Sequence, residues 1–120
     1  MKIFQFDVWQ VDLNPTKGSE QKGERPCIIL QTNAVSDYGL TTIIAPLTGT
    51  KIDKIYPYEI KINPSKSNGL KEISKLKLDQ IRVISKERLV KRLGKLEKLY
   101  YINIIIAIKI ILDFDQDFTC

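Results

Sequence analysis

The sequence contains no histidine. Histidine is the commonest acid-base residue in enzymes and the commonest metal ligand in proteins. Its absence excludes catalysis by a histidine pair, including that of the two-histidine ribonucleases, and any metal site built on imidazole. Acid-base chemistry in this chain must therefore come from other side chains.

Cysteine is almost as scarce, with Cys27 in an apolar run and Cys120 at the extreme C-terminus. Their number and spacing fit neither a disulfide framework nor a zinc site, so we expect a protein of the reducing cytoplasm that needs no metal or other cofactor. Residues 1–7 also lack the continuous apolar stretch and small-residue cleavage site of a signal peptide. Secretion is therefore not indicated.

Long hydrophobic runs are missing as well. The most apolar segment, residues 99–112, is interrupted by Asn103 and Lys109 and is shorter than the roughly 20 residues that cross a bilayer. We therefore expect a core or interface element here and no membrane contact.

The remaining composition is that of an ordinary globular protein, with 43% hydrophobic and 28% charged residues. We expect one domain over residues 1–120, because this length supports one modest core but not two. Nineteen Lys and Arg against fourteen Asp and Glu leave a net charge of +5. That excess favours polyanionic partners, although a solvated basic surface would give the same number.

Short apolar or alternating segments, separated by turn residues, predict five or six strands. They cover residues 4–13, 27–30, 41–47, 56–62 and 73–84, the last with a bulge near Asp79 and Gln80. Ser85 is placed to cap a helical turn over residues 86–90. The pattern predicts a mainly β protein with a small, strongly bent antiparallel sheet or SH3-like barrel.

The last segment, residues 97–112, is rich in isoleucine, yet Leu96, Leu99, Tyr100 and Asn103 recur at helical spacing. We therefore predict a C-terminal helix. Because the helix is apolar nearly all round, we expect it to be buried on more than one side, against the sheet and near a subunit partner.

One stretch is far more specific than these patterns. Residues 11–26, VDLNPTKGSEQKGERP, closely resemble the strand-loop-strand signature of the MazF/PemK toxins. The resemblance continues in order and approximate spacing through APLT at 45–48, NGL at 68–70 and LDQIRVI at 78–84. The chain departs from the family where Phe6, rather than the usual glycine, precedes Asp7, and in its isoleucine-rich C-terminal helix.

The resemblance implies a MazF/CcdB/PemK-like barrel with a C-terminal helix, a homodimer and a cognate MazE-like antitoxin. It also implies the toxin activity of a sequence-selective, metal-independent endoribonuclease that inhibits translation and growth. Such an enzyme cleaves single-stranded RNA, above all mRNA, and leaves a 2′,3′-cyclic phosphate and a 5′-hydroxyl.

The same resemblance predicts the catalytic residues Arg25, Thr48 and Glu20. The Arg25 guanidinium offers several planar donors to a phosphorane, and Thr48 ends a strand where its hydroxyl can reach a phosphate oxygen. Glu20 is predicted as a general base or as a residue that orients Arg25. The structural alternatives are an ion pair of Arg25 with Glu20 or Glu24 that fixes the loop, and a turn role for Thr48.

A second set of residues is predicted to contact RNA. It consists of two loop residues beside Glu20, two lysines of the loops and two residues of the fifth strand, which are Ser19, Gln21, Lys17, Lys51, Gln80 and Arg82. If Ile81 faces the core, Gln80 and Arg82 project from the opposite face and line an RNA groove. A plain surface role for the lysines and for this strand pair stays open.

Two other functions remain possible on the residues alone. One is a noncatalytic toxin of the same fold that binds DNA gyrase, and the other is a nucleic-acid-binding barrel without activity. Neither explains why Arg25 and Thr48 accompany this loop. The bases that are cut and the residue that activates the 2′-hydroxyl are not fixed by the sequence, since arginine is effectively always protonated.

Overall fold

The structure is a computed structural model that describes residues 2–113, and Cys120 lies outside the described residues. Within that range the chain forms seven strands and two helices, joined by loops and short 3-10 turns. The elements are β1 (Asp7–Asp12), β2 (Glu24–Ile29), α1 (Asn33–Ser36), β3 (Thr41–Thr48), β4 (Glu59–Ile62), β5 (Ser74–Lys77), β6 (Arg82–Ser85), β7 (Leu89–Lys95) and α2 (Tyr101–Leu112).

The strands form one antiparallel sheet in the order β4-β5-β3-β2-β1-β7, and β6 also pairs with β3. The first half of β3 pairs with β6 and its last two residues, Leu47 and Thr48, pair with β5. Within residues 2–113 no strand pairing joins β4 to β7, so the sheet is not closed. The predicted class, a mostly antiparallel sheet with a C-terminal helix, is confirmed.

The loop between β4 and β5 covers part of the open edge at β7. The backbone N–H of Lys95 donates to the Ser67 carbonyl at 2.7 Å. A Cβ on Gly94 would lie 2.2 Å from that Ser67 oxygen, and a Cβ on Gly69 would lie 2.2 Å from the Leu93 oxygen. Glycine at these two positions therefore allows the loop to run against β7.

Alternation along the strands divides the core between two faces of the sheet. Val8, Ile28 and Leu47 belong to the cluster that packs beneath α2, together with Ile104 and Ala107 of the helix. The opposite face carries the second cluster, Ile3, Trp9, Val11, Leu13, Cys27, Ile29, Ile44, Ile84 and Leu89. A sheet covered on both faces explains why β2 and β3 are nearly continuous apolar runs.

Three predicted elements differ from the structure. The strand expected over residues 56–62 begins only at Glu59, because Pro57 lies in the preceding turn. The strand expected over residues 73–84 is two strands, β5 and β6, separated by a 3-10 turn at Leu78–Gln80. The Ser85 side chain caps a turn over Lys86–Arg88 as predicted, but β7 follows it and had not been predicted.

The predicted C-terminal helix is confirmed as α2, preceded by a 3-10 turn at Lys98–Tyr100. In the single chain, α2 is buried on one side only, against the sheet, and its predicted burial near a subunit partner stays a prediction. Ile104 and Ala107 face the sheet, whereas a row of large apolar side chains is exposed, namely Leu99, Ile102, Ile105, Ile106, Ile110 and Leu112. Within residues 2–113, no helix is long and apolar enough to cross a membrane.

Phe6 occupies the position where the resembling family usually has glycine, and its φ is +70°. A side chain at positive φ is strained, so other contacts must hold it there. The Phe6 ring stacks on the Tyr101 ring of α2, with centroids 3.7 Å apart, and the Phe6 carbonyl accepts from the Leu96 N–H at 2.9 Å. The departure from glycine thus ties the start of β1 to α2.

Candidate active site

An open pocket with a volume of about 750 Å³ lies where the beginning of β2 meets the end of β3. The loop before β5 and the outer face of β7 complete its walls. The charged side chains in its lining are Glu24, Arg25, Lys71, Glu72 and Lys91, and the uncharged residues include Gln10, Gln21, Thr48, Thr50 and Leu93. The pocket therefore brings Arg25, Thr48 and Gln21 together, as the resemblance predicted for a single site.

Arg25 is half-buried on β2, and its guanidinium crosses to the end of β3. Nε and Nη2 donate to the Lys22 carbonyl at 3.0 and 2.8 Å, and Nη1 reaches the Leu47 carbonyl at 3.4 Å. No ion pair with Glu20 or Glu24 forms among residues 2–113. The guanidinium thus fixes the loop through carbonyl oxygens, and two of its five N–H groups remain for a ligand.

Thr48 is the last residue of β3, and its side chain is largely buried at the pocket wall. Its Oγ1 accepts the Thr50 backbone N–H at 3.2 Å and lies 3.0 Å from the Thr50 hydroxyl oxygen. When Thr50 donates across that contact, both acceptor sites of Thr48 are filled. The Thr48 O–H is then free to donate to an oxygen in the pocket.

The loop between β1 and β2 is closed at its base by polar contacts that the motif supplies. The Leu13 N–H donates to the Gly23 carbonyl at 3.1 Å, and the Gly23 N–H donates to Asn14 Oδ1 at 3.1 Å. Gly23 adopts φ +81°, which favours glycine there. Its carbonyl and N–H therefore point back to β1, and Arg25 enters β2 at a fixed position.

Most predicted residues of this loop do not line the pocket. Lys17, Ser19 and Glu20 are exposed, and the Glu20 carboxylate accepts the Lys17 backbone N–H at 2.8 Å. Gln21 does line it, and its N–H reaches Gln80 Oε1 at 3.4 Å. Glu20 thus neither touches Arg25 nor faces the pocket, and its role stays a prediction.

The geometry expected around Ile81 is wrong. Ile81 is 36% exposed and does not face the core, because Gln80 ends a 3-10 turn and β6 begins only at Arg82. Arg82 is half-buried, and its Nη1 is buried without a hydrogen-bond partner among residues 2–113. Gln80 supports the loop at Gln21, and neither Gln80 nor Arg82 lines the pocket.

Lys51 and three aromatic residues, Trp9, Tyr56 and Tyr58, also lie outside the pocket lining. Lys51 is exposed at φ +53°. Trp9 is buried in the core, and its Nε1 donates to Asp7 at 3.3 Å. Tyr56 and Tyr58 stack on each other with centroids 5.5 Å apart.

Several pocket residues escaped prediction. Lys91 was missed because β7 was not identified. Lys71 and Glu72 were missed because they follow the motif residues 68–70 in a loop whose contact with β7 the sequence does not show. The feature that connects these residues is the pair Gly69 and Gly94, which allows this loop to lie against β7, and only the structure reveals it. Among the described residues, no group of three or more His, Cys, Asp or Glu side chains is arranged to hold a metal ion.

Cys27 lies on β2 two residues beyond Arg25, on the same face of the strand, where it belongs to the second buried cluster. Burial raises the pKa of its thiol to about 12, although the charges of Arg25 and Arg82 lower it in part. The thiol is therefore protonated at neutral pH and is not a nucleophile for the site.

Comparison with known proteins agrees with this geometry. The sequence model of the PemK-like, MazF-like toxins of type II toxin-antitoxin systems matches residues 4–112. Endoribonuclease MazF9 of Mycobacterium tuberculosis is 32% identical over 113 residues, which are 89% of this chain and 93% of that protein. Endoribonuclease MazF of Staphylococcus saprophyticus is 39% identical over 87 residues, which are 72% of each chain.

The fold is shared as well. A mycobacterial endoribonuclease solved in complex with its cognate antitoxin superposes with a TM-score of 0.75 at 21% identity, covering 93% of this chain and 96% of its own. The family model spans nearly all of the described residues, and both relatives exceed 30% identity over most of their length. The chain therefore belongs to the family of PemK-like, MazF-like toxins of type II toxin-antitoxin systems.

Proposed function

We propose that this chain is the toxin endoribonuclease of a toxin-antitoxin pair and cleaves single-stranded RNA at a short sequence in the cytoplasm. The observation that carries the proposal is the pocket that gathers the Arg25 guanidinium and the Thr48 hydroxyl at the junction of β2 and β3. The endoribonuclease relatives support the same activity.

The chemistry uses the RNA itself as the nucleophile. Attack of a 2′-oxygen on the neighbouring phosphate creates a pentacoordinate phosphorane with extra negative charge, which positioned donors stabilise. The two free N–H groups of Arg25 and the hydroxyl of Thr48 are the donors at this pocket. The products are a 2′,3′-cyclic phosphate and a 5′-hydroxyl, and mRNA is the substrate whose cutting stops translation and growth.

The electrostatics of the pocket suit this substrate. Arg25, Lys71 and Lys91 outnumber Glu24 and Glu72 in the lining, and the sequence as a whole carries a net charge of +5. Positive charge near a single strand raises its affinity through counterion release. We assign the loop residues Lys17, Ser19 and Gln21 to contacts with the flanking nucleotides.

Cleavage of a long single-stranded RNA tests the activity directly. The purified protein is incubated with the RNA in EDTA, and the new 5′ ends are mapped. We expect discrete cuts at one short sequence, with 5′-hydroxyl ends, and at least about 100-fold slower cutting by Arg25→Ala and by Thr48→Ala. Intact RNA, or cutting that survives both substitutions, would refute the proposal and favour a toxin that acts by binding a protein.

A homodimer is part of the proposal. The outward face of α2 exposes 48–59% of each of Ile102, Ile105, Ile106 and Ile110. A contiguous apolar surface of this kind marks an interface, and we assign it to a second copy of the chain. Light scattering should give a dimer for the wild type and a monomer for Ile105→Lys/Ile106→Lys. The matched control Val83→Lys, at an exposed apolar residue of β6, should stay dimeric.

The second protein partner is an antitoxin with an acidic segment that covers the pocket beside Arg25, Lys71 and Lys91. The superposed mycobacterial endoribonuclease was solved with its cognate antitoxin, which supports this partner. Coexpression with the neighbouring reading frame should relieve growth arrest and yield a copurifying complex. Equal toxicity with and without that frame would contradict it.

A further inference from the structure

The site described above lacks a group that removes the proton from the 2′-hydroxyl. Arginine keeps its proton throughout the biological pH range and is a poor base. The Glu20 carboxylate is exposed, accepts the Lys17 N–H and does not line the pocket. The base must therefore come from another group that faces the pocket.

Glu72 faces it from the loop that precedes β5. Its carboxylate lies against the backbone of Gly49, the residue that follows Thr48. A Cβ built on Gly49 would be 2.2 Å from Glu72 Oε1 and 2.6 Å from Cδ. The absence of a side chain at Gly49 thus leaves the space that the Glu72 carboxylate occupies. This space adjoins the end of β3, where Thr48 is the last residue.

The Glu72 carboxylate is also not used to hold the fold. Among residues 2–113 it makes no ion pair and accepts no hydrogen bond, and only its backbone carbonyl is engaged, by the Ser74 hydroxyl at 3.1 Å. The other pocket carboxylate, Glu24, is directed toward Gln10 at 3.5 Å. Glu72 is therefore the carboxylate that is both in the pocket and free to accept a proton.

We propose that Glu72 is the general base of this site, and that its carboxylate occupies the space left by the missing side chain at Gly49. The inference rests on the proposed ribonuclease function. In the step, the 2′-hydroxyl gives its proton to the Glu72 carboxylate while the 2′-oxygen forms its bond to phosphorus. The bond from phosphorus to the 5′-oxygen breaks, this oxygen leaves with the electron pair, and water protonates it. Protonated Glu72 then returns its proton to water.

The first test replaces the carboxylate with an isosteric amide. The substrate is an RNA that carries the mapped cleavage sequence. Glu72→Gln should lower kcat by at least about 100-fold with KM within about threefold, since general bases contribute about 10²- to 10⁴-fold. It should also remove the acidic limb of the profile of kcat/KM against pH. The other charged groups that face the pocket, Glu24, Arg25, Lys71 and Lys91, are unchanged in this variant.

The second test moves the carboxylate without removing it. Gly49 has no left-handed backbone angle, and its Cβ would meet only the end of the flexible Glu72 side chain, so Gly49→Ala should fold normally. The methyl group should displace the carboxylate and lower kcat by at least about tenfold. In a Glu72→Gln background the same alanine should add less than about threefold, because the two changes act on one group.

Controls separate this role from a structural one. Glu87→Gln, an exposed carboxylate after β6, should cleave like the wild type. RNA with a 2′-deoxynucleotide at the cut site cannot react, and Glu72→Gln should bind it as tightly as the wild type does. Glu72→Asp should keep the acidic limb at a reduced rate.

The outcomes are distinct. A wild type that leaves RNA intact refutes the proposed function and this inference with it. A wild type that cleaves, with Glu72→Gln at a similar rate or with binding of the deoxy substrate lost, refutes only the inference. Loss of the acidic limb in Glu20→Gln rather than in Glu72→Gln would assign the base to Glu20 instead.

Discussion

Two groups of charged side chains differ in whether their charges are paired. Around Glu59 on β4, the buried carboxylate contacts Lys75 at 3.2 Å and Lys77 at 3.0 Å, and it accepts the Tyr56 N–H at 3.1 Å. In the pocket, the hydrogen bonds of the Arg25 side chain to residues 2–113 all go to backbone carbonyls, and within that range it forms no ion pair with the two carboxylates nearby. The Glu59 carboxylate is thus fully paired within the protein, whereas the pocket side chains can still form hydrogen bonds and ion pairs with a ligand.

The difference follows from exposure. A charge buried away from water must be compensated by partners within the protein, or the group would be neutral. The side chain of Glu59 is 1% exposed and that of Lys75 is 6% exposed. Pocket charges keep contact with water, so they can exchange it for a phosphate at little cost. Paired charges therefore hold the loop at residues 51–58, and the unpaired charges of the pocket are available to the proposed RNA ligand.

The largest expected effect comes from breaking the paired group. Glu59→Ala leaves two lysine ammonium groups next to each other, one of them buried, and should lower the free energy of unfolding by about 3–5 kcal/mol. Urea denaturation followed by tryptophan fluorescence measures this loss. The pocket carboxylate variant Glu24→Ala, which removes an exposed side chain, should stay within about 0.5 kcal/mol of the wild type. Equal losses in the two variants would remove the distinction.

The next effect concerns activity rather than stability. Arg25→Lys keeps the positive charge but loses the planar set of donors, so the rate of RNA cleavage should fall by about 100-fold, or about 2.7 kcal/mol. The Tm should change little, because the guanidinium contacts loop and strand-end carbonyls rather than a buried carboxylate. Lys66→Ala, at an exposed lysine outside the pocket, serves as a control and should cleave normally.

The sequence was sufficient to predict the inner strands and the loop that carries Arg25, but not the strand and loop that complete the pocket. The apolar runs of β2 and β3 were readable from local pattern, and the motif around Arg25 was readable from the family resemblance. The missing strand, β7, alternates poorly, since four of its seven residues are exposed, three of them in a row, and Gly94 breaks the pattern. Without β7, the wall formed by Lys91 and the path of the loop at Gly69 could not be inferred.

Glu72 shows why a candidate site can be incomplete. Its neighbours in sequence give no hint of chemistry, and it reaches Gly49 only because the sheet brings the end of β3 beside the beginning of β5 at the pair Thr48 and Lys75. Glu20 shows the opposite case. The motif marked it as catalytic, yet its carboxylate bonds to its own loop. Whether a carboxylate faces the pocket depends on contacts between strands that are distant in sequence, and a local sequence pattern does not predict these contacts.

A smaller effect should appear in the pH dependence of stability. Burial raises the pKa of Glu59, but hydrogen bonds from the Tyr56 N–H and from Lys77 and Lys75 outweigh it, so the pKa is lowered in the folded state. Its contribution to stability is therefore present above the pKa of the unfolded chain, about 4.3, and is lost as the pH falls through the lower folded value. Denaturation midpoints measured from pH 7 to pH 2 should show this loss.

Glu59→Gln should flatten that part of the profile, because an amide does not titrate. Lys66→Ala changes the surface charge without touching the cluster and should keep the slope of the wild type. A Glu59→Gln profile with an undiminished slope would show that other carboxylates carry the acid sensitivity, and the pairing around Glu59 would then have no part in it.

The smallest effect tests whether a nearby cation is enough to activate a buried group. Cys27 lies within the electrostatic range of Arg25 and Arg82, yet burial raises the pKa of its thiol to about 12. At pH 8 only about one thiol in 10,000 is then ionised. In a Cys120→Ser background, iodoacetamide should label the folded protein at least about 100-fold more slowly than the urea-unfolded protein. The folded protein should keep its cleavage activity during the incubation. Rapid labelling of the folded chain would mean that the charges of Arg25 and Arg82 outweigh burial in setting the pKa of this thiol.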